Sequence, residues 1–254
     1  MGAEPGARPP VVLLVEDDPS VARFVAMALD TLPVVVHTCP CVESALAWLQ
    51  EHRAALVITD LMMPGESGTG LLRRLQATPA LAAGARIVVL SAGLDQAVRR
   101  ELLACGAWRA LDKPVPVAAL EACVREALGG LLPSTAPTAP PAASIHGAPG
   151  ESAVDWAIGE FFGGDAALFH AYRAECLAQF VRDAAEGDRA VEGSDLAALH
   201  RLCHSLASVL RTLGRADDGA LAREIERLAL AGSEAAAYTH WALLRHRLRP
   251  SPPR

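Results

Sequence analysis

Along the first half of the chain, short apolar runs alternate with segments whose apolar residues recur every three to four positions. The runs cover residues 11–15, 34–36, 56–58, 87–90 and, more weakly, 107–111. Each is short and aliphatic or β-branched, the pattern of strands buried on both faces. Helical spacing marks residues 19–31, 42–52, 68–77, 95–105 and 117–128. Alternating β and α elements predict an α/β domain, a doubly wound five-stranded parallel sheet with helices on both sides. After residue 150 only helical periodicity remains, over 153–162, 166–191, 196–213, 216–231 and 234–248, which predicts a separate all-α helical bundle.

Residues 129–150 carry five prolines, four glycines and no Asp, Glu, Lys or Arg. That is the composition of a semi-extended linker that sets reach and not chemistry. The expected organisation is therefore a first domain over 10–128, a Pro/Gly-rich linker over 129–150, a helical bundle over 151–248 and a disordered tail over 249–254. No internal repeat is visible.

Composition narrows the function classes. The chain has 254 residues and a formal net charge of −6, shared equally between the halves on either side of residue 150, so neither half reads as a basic nucleic-acid-binding module. The first apolar run gives way to Glu16, Asp17 and Asp18 after five residues, too short for a membrane span or a signal-peptide core, and a soluble cytoplasmic protein is expected. Six cysteines without paired spacing read as reduced, mostly buried residues. Cys39-Pro40-Cys41 reads as a packed loop and not a redox motif. Of the 23 basic residues only Lys113 is lysine, which singles out a position that needs a compact ammonium.

In open parallel sheets ligands bind at the carboxyl ends of the strands. The residues that follow the strands here are Glu16-Asp17-Asp18, Thr59-Asp60, Ser91-Ala92-Gly93 and Asp112-Lys113-Pro114. Several carboxylates in one crevice repel one another unless a cation sits among them, and hard oxygen ligands suit Mg2+. A metal beside Asp60, the Ser91 hydroxyl and the Lys113 ammonium form a set able to hold phosphoryl oxygens while a carboxylate attacks phosphorus.

The segments VVLLVEDDPSVARF, VITDLMMPGESG, VVLSAG and ALDKPV, with 31 residues from Asp60 to Ser91 and 53 to Lys113, resemble the signature segments of bacterial response-regulator receiver domains over about residues 10–128. The resemblance implies a flavodoxin-like sheet in the order 2-1-3-4-5. It makes Asp60 the phosphoacceptor, Asp17 a direct Mg2+ ligand, Glu16 a second acidic residue and the Met62 carbonyl a further ligand, with Ser91 and Lys113 at the phosphoryl group. Asp17–Asp18 is the alternative register for the acidic pair. Where many receivers carry an aromatic switch, three residues before the lysine, this chain has Ala110, and Trp108 nearby reads as packing.

In the second half, DLAALHRLCHSLASVLRTLG puts His200 and His204 four apart on one helical face. Three roles are open to His204: a satisfied structural histidine, a metal ligand with His200 and Cys203, or a phosphoryl nucleophile, which needs exposure and a weakly positive surround. Together with FFGGDAALFHAYRAECLAQF and GALAREIERLALAG, the segment resembles a histidine phosphotransfer domain over about 153–248, with Leu213-Gly214 at the family's spacing from His204. The family's lysine and glycine are here Ala207 and Ser208, the latter adding bulk where a partner docks, while Arg201 and Arg211 offer replacement charge.

The expectation is a two-component phosphorelay protein, not a kinase, since no Gly-rich phosphate loop appears. It accepts phosphate on Asp60 and exchanges it through His204 with its own or a partner's receiver. The expected partners are a sensor histidine kinase and a second receiver, with no nucleic acid and no membrane insertion. The rival expectations are a degenerate docking or dimerisation bundle and a phosphate sink.

Overall fold

The computed structural model describes residues 8–132 and 152–248, in two compact units that divide between residues 142 and 143. Most of the expected linker and all of the expected tail lie outside the described residues; Gly129–Leu131 form a single 3-10 turn.

The first unit holds five strands: β1 (Val11–Val15), β2 (Val35–Cys39), β3 (Leu56–Asp60), β4 (Arg86–Ser91) and β5 (Arg109–Asp112). They pair in parallel in the order β2-β1-β3-β4-β5. Its helices are α1 (Pro19–Leu29), α2 (Val42–Glu51), α3 (Gly68–Ala77), the single-turn α4 (Pro79–Ala82), α5 (Gln96–Ala104) and α6 (Val117–Leu128). β3 is buried along its whole length and β1 nearly so, as central strands with helices on both faces must be. The expectation of burial on both faces fails at β2, where only Cys39 is buried. An edge strand has one neighbour, so His37 and Thr38 are tolerated, and pairing with β1 carries β2 to Cys39, beyond the apolar run. Helix starts follow local chemistry: Asp18, Ser67 and Asp95 accept backbone N–H groups of the first turns of α1, α3 and α5. The short α4, entered at Pro79 and closed by Ala83 in the left-handed region, is too brief for periodicity to reveal.

The second unit consists of α7 (Ala153–Phe162), α8 (Ala166–Glu192), α9 (Leu196–Thr212), α10 (Ala216–Leu230) and α11 (Glu234–Leu248). α9 packs on α10, α10 on α11, α11 on α8 and α8 on α9, a closed ring of four helices that α7 covers against α8 and α9. Phe169, Tyr172, Phe180, Leu210, Ile225 and Trp241 fill the interior. Gly187 is set into this core: a Cβ there would lie 2.0 Å from the Trp241 ring. Gly187→Ala is therefore expected to lower stability by about 1–3 kcal/mol through overpacking, read as a reduced denaturant midpoint.

No helix among the described residues is long and apolar enough to cross a membrane.

Candidate functional site

The carboxyl ends of β1, β3, β4 and β5 bring together the residues that the sequence singles out. Glu16 follows β1, and its N–H donates to the Cys39 carbonyl at 3.0 Å, fixing the chain where it leaves the sheet. Asp60 is the last residue of β3 and has no exposed surface. Lys113 follows β5 through Asp112 and joins Pro114 by a cis peptide bond. Its ammonium lies 2.7 Å from Glu16 Oε2 and 3.2 Å from Asp60 Oδ2, a buried bridge between the first and third strands. Asp60 Oδ1 accepts the Leu61 N–H at 2.7 Å, which fixes the carboxylate plane. Ser91 ends β4, buried, and its carbonyl accepts the Lys113 N–H at 2.8 Å. Met62 lies two residues past β3 and is half-buried.

The three adjacent acids behave differently. Asp18 caps α1, accepting the Ser20 and Val21 N–H groups at 2.8 and 2.9 Å. Glu16, Asp17 and Asp60 each offer an oxygen within 4.8 Å of the others, and Asp17 Oδ1 is buried without a hydrogen-bond partner. An orphaned carboxylate oxygen beside two further acids fits a hard divalent cation. Burial, opposed by Lys113 and reinforced by Asp60, pushes the Glu16 carboxyl up to about 8. Burial and the Asp60 charge raise Asp17 to about 6. Burial alone would lower Lys113, but Asp60 and Glu16 outweigh it and hold the ammonium above its ordinary value.

Between the ordinary carboxylate range and about pH 6 the folded chain holds a proton at Asp17 that the unfolded chain has released, so this group costs stability as pH rises through that window. Asp17→Asn is expected to remove that penalty. In metal-free buffer the variant gains about 1 kcal/mol or more over wild type near pH 7 and little near pH 4, read from denaturant midpoints at both.

Gly68 contributes to the site although the sequence did not single it out. It opens α3, its N–H donates to the Leu61 carbonyl at 3.1 Å, and a Cβ there would stand 2.0 Å from the Asp60 carbonyl oxygen. Only glycine lets α3 start this close to the Asp60 peptide. The glycines of the MMPGESG run were the available signal.

In the second unit His204 sits on α9 against α10. Its Nδ1 lies 2.7 Å from Glu226 Oε1, and Glu226 Oε2 accepts Arg223 Nη1 at 2.8 Å. The exposure expected of a nucleophilic imidazole is not met: the residue is 4% exposed, and its Nε2 is covered and without a partner. The close packing of α9 on α10, with Glu226 against the ring, accounts for that burial. Ala207 and Ser208 are buried as well, so Ser208 adds no bulk to a docking surface. Arg201 is half-buried and Arg211 exposed. His200, Cys203 and His204 do not form a metal-ligand grouping among the described residues. Burial, partly offset by Glu226, lowers the His200 imidazole, and burial raises the Cys203 thiol. Cys39 and Cys41 are free thiols, one buried at the end of β2 and one half-buried ahead of α2.

Comparison with known proteins bears on the first unit. Residues 12–125 match the family model described as response regulator receiver domain. The chain is 32% identical over 119 residues to the transcriptional regulatory protein AfsQ1 of Streptomyces coelicolor, covering 47% of this chain and 51% of that protein. It is 35% identical over 133 residues to the virulence sensor protein BvgS of Bordetella pertussis, covering 50% and 11%. Among solved structures it is similar to the chemotaxis protein CheY4 of Vibrio cholerae, with 25% identity, 47% of this chain and 99% of that one covered, and a TM-score of 0.45. The chain spans between a quarter and about half of the length of the first known proteins it matches, 25% to 54%.

Proposed function

With residues 12–125 a response regulator receiver domain, we propose that this chain is a two-component phosphorelay protein that accepts a phosphoryl group on Asp60 and exchanges it through His204. The observation that carries the first part is the Lys113 ammonium bridging Glu16 and Asp60 beside the orphaned oxygen of Asp17. Attack by an Asp60 carboxylate oxygen on the phosphorus of a kinase phosphohistidine forms the O–P bond and breaks the N–P bond, and the leaving imidazole nitrogen keeps the electron pair. Lys113 and the Ser91 hydroxyl are the groups available to hold phosphoryl oxygens, and Leu61 N–H orients the attacking carboxylate. Asp17, Asp60 and the Met62 carbonyl, with Glu16 as a further acid, are the residues that would hold Mg2+, which would supply charge neutralisation at the phosphoryl oxygens when bound. The use of Asp18 as the cap of α1 supports the Glu16–Asp17 register over Asp17–Asp18. The partner that delivers phosphate is a sensor histidine kinase.

For His204 the supporting observation is the Glu226 contact: with Nδ1–H donating to the carboxylate, the lone pair is left on Nε2, the tautomer a phosphoryl acceptor needs. Exchange then requires the groups covering Nε2 to part when a receiver docks. Burial of the same atom favours a second reading, in which the bundle is a docking or dimerisation module. Radiolabelled phosphate offered on a separate phosphorylated receiver distinguishes them. The relay gives acid-labile, base-stable label in wild type and Asp60→Asn, lost in His204→Gln. Label that is wholly base-labile and dependent on Asp60 alone contradicts it and leaves the docking module.

A further inference from the structure

The strand end that carries Lys113 also holds a second, smaller network. Asp112, the residue before Lys113, accepts the Leu94 N–H on Oδ1 at 2.9 Å and pairs through Oδ2 with Arg99 Nη2 at 2.8 Å. The other terminal guanidinium nitrogen of Arg99 donates to the Ala110 carbonyl. One residue later Lys113 N–H holds the Ser91 carbonyl. Both ends of the Ser91–Leu94 loop are thus fastened to adjacent residues at the end of β5, and Arg99 fastens α5 to the same strand end.

The packing around α5 makes this fastening matter. α5 buries only Leu102, whereas α3 and α6 each bury four residues. Val98 and Leu103 of α5 are exposed. A helix with so little apolar burial depends on its polar ties, and local opening is governed by the few contacts present. Gly93, at φ +72° and in open space where a Cβ would meet nothing within 4 Å, leaves the loop free to change shape between its two fixed ends.

Resting on Asp60 as phosphoacceptor, we propose that Asp112 is a positioning residue that straps the Ser91 loop and α5 to the strand bearing Lys113, so that a phosphoryl group on Asp60 is felt at α5. A new anion at Asp60 meets the Lys113 ammonium, 3.2 Å from Asp60 Oδ2, and lies beside the end of β4, where Ser91 follows Leu90, the register partner of Asp60. Lys113 and Ser91 are each tied within one to three residues to Asp112, and Asp112 is tied to Arg99. The strap makes no contact with the reacting atoms, and it acts by keeping the hydroxyl loop and the helix in register with the ammonium.

The test is amide hydrogen exchange over residues 91–104 in the full chain, with and without Mg2+ plus beryllium fluoride as a stable stand-in for the aspartyl phosphate. It is run for wild type, Asp112→Ala, Asp112→Asn and Arg99→Ala, beside acetyl phosphate labelling of each. In wild type, exchange in α5 changes on adding the stand-in. Asp112→Ala exchanges about 3-fold to 10-fold faster over both loop and helix beforehand and shows no further change, although Asp60 still labels. Arg99→Ala frees the helix and leaves the loop protected. Asp112→Asn, whose amide oxygen still accepts from Leu94, also keeps the loop protected. A wild-type response that persists in Asp112→Ala, or no response at α5 in a chain whose Asp60 labels, overturns the strap alone. Failure of wild type to label at all overturns the receiver reading and the strap with it.

Discussion

Asp60→Asn is expected to abolish phosphoryl acceptance while leaving a folded chain that, free of metal at neutral pH, is more stable than wild type. The first effect is chemical: an amide oxygen is no nucleophile toward phosphorus, so labelling by acetyl phosphate falls to background, a drop of more than about 1000-fold. The second is electrostatic. Asp60 raises the carboxyls of both Glu16 and Asp17, and one ammonium faces all three acids. Asparagine keeps the shape and the acceptor for the Leu61 N–H but removes a buried charge. Lys113 keeps Glu16 at 2.7 Å as its partner. The gain is expected at about 1–2 kcal/mol, read from denaturant midpoints in the presence of a chelator. Mg2+ is expected to narrow the gap, because it binds wild type more tightly.

Lys113→Ala is expected to have the opposite effect on stability and the same direction of effect on chemistry. Removing the ammonium leaves Glu16 and Asp60, with wholly buried side chains, facing each other without compensation. The loss is expected at about 2–4 kcal/mol, below the full cost of isolated buried ions because Glu16, already raised to about 8, is protonated at neutral pH and adds no second buried charge. The variant's Glu16 carboxyl moves further up, so the deficit grows as pH rises and shrinks toward acid pH. Phosphorylation falls because nothing replaces the positive charge at the phosphoryl oxygens. Lys113→Arg is expected to rescue little, since the side chain is 6% exposed and a larger, planar guanidinium must replace a compact ammonium held 2.7 and 3.2 Å from two buried carboxylates. This accounts for one lysine in a chain that otherwise uses arginine for every basic residue. Thermal denaturation at several pH values, beside acetyl phosphate labelling, measures both effects.

The central strands and most helices were legible in the sequence because burial on two faces writes an uninterrupted apolar run, and helical packing writes a 3.6-residue period. α3, α6, α7 and α11 fall where the periodicity places them. β2 extends past its apolar run because an edge strand is held by backbone pairing, which leaves no apolar mark at His37 and Thr38. At the site, residue types at strand ends identified Glu16, Asp17, Asp60, Ser91 and Lys113 as neighbours. The capping role of Asp18 depends on where α1 begins, and three consecutive acids look alike until that position is known. The burial of His204 depends on the partner helix: Glu226 lies 22 residues further along, with nothing local to announce its contact. Gly68 and Asp112 stand in segments that the sequence marks, but their roles were not legible there, since each acts through close approach of backbone from another element.

The most direct test is to locate the phosphoryl group by peptide mass mapping after incubating wild type with acetyl phosphate, with Mg2+ in one arm and a chelator in the other. A base-labile phosphoryl group on the peptide containing Asp60, present with Mg2+ and lost with the chelator, is the expected result. A phosphoryl group on another residue, none in either arm, or an Asp60 adduct that forms equally well in chelator contradicts a metal-assisted aspartyl phosphate at this site.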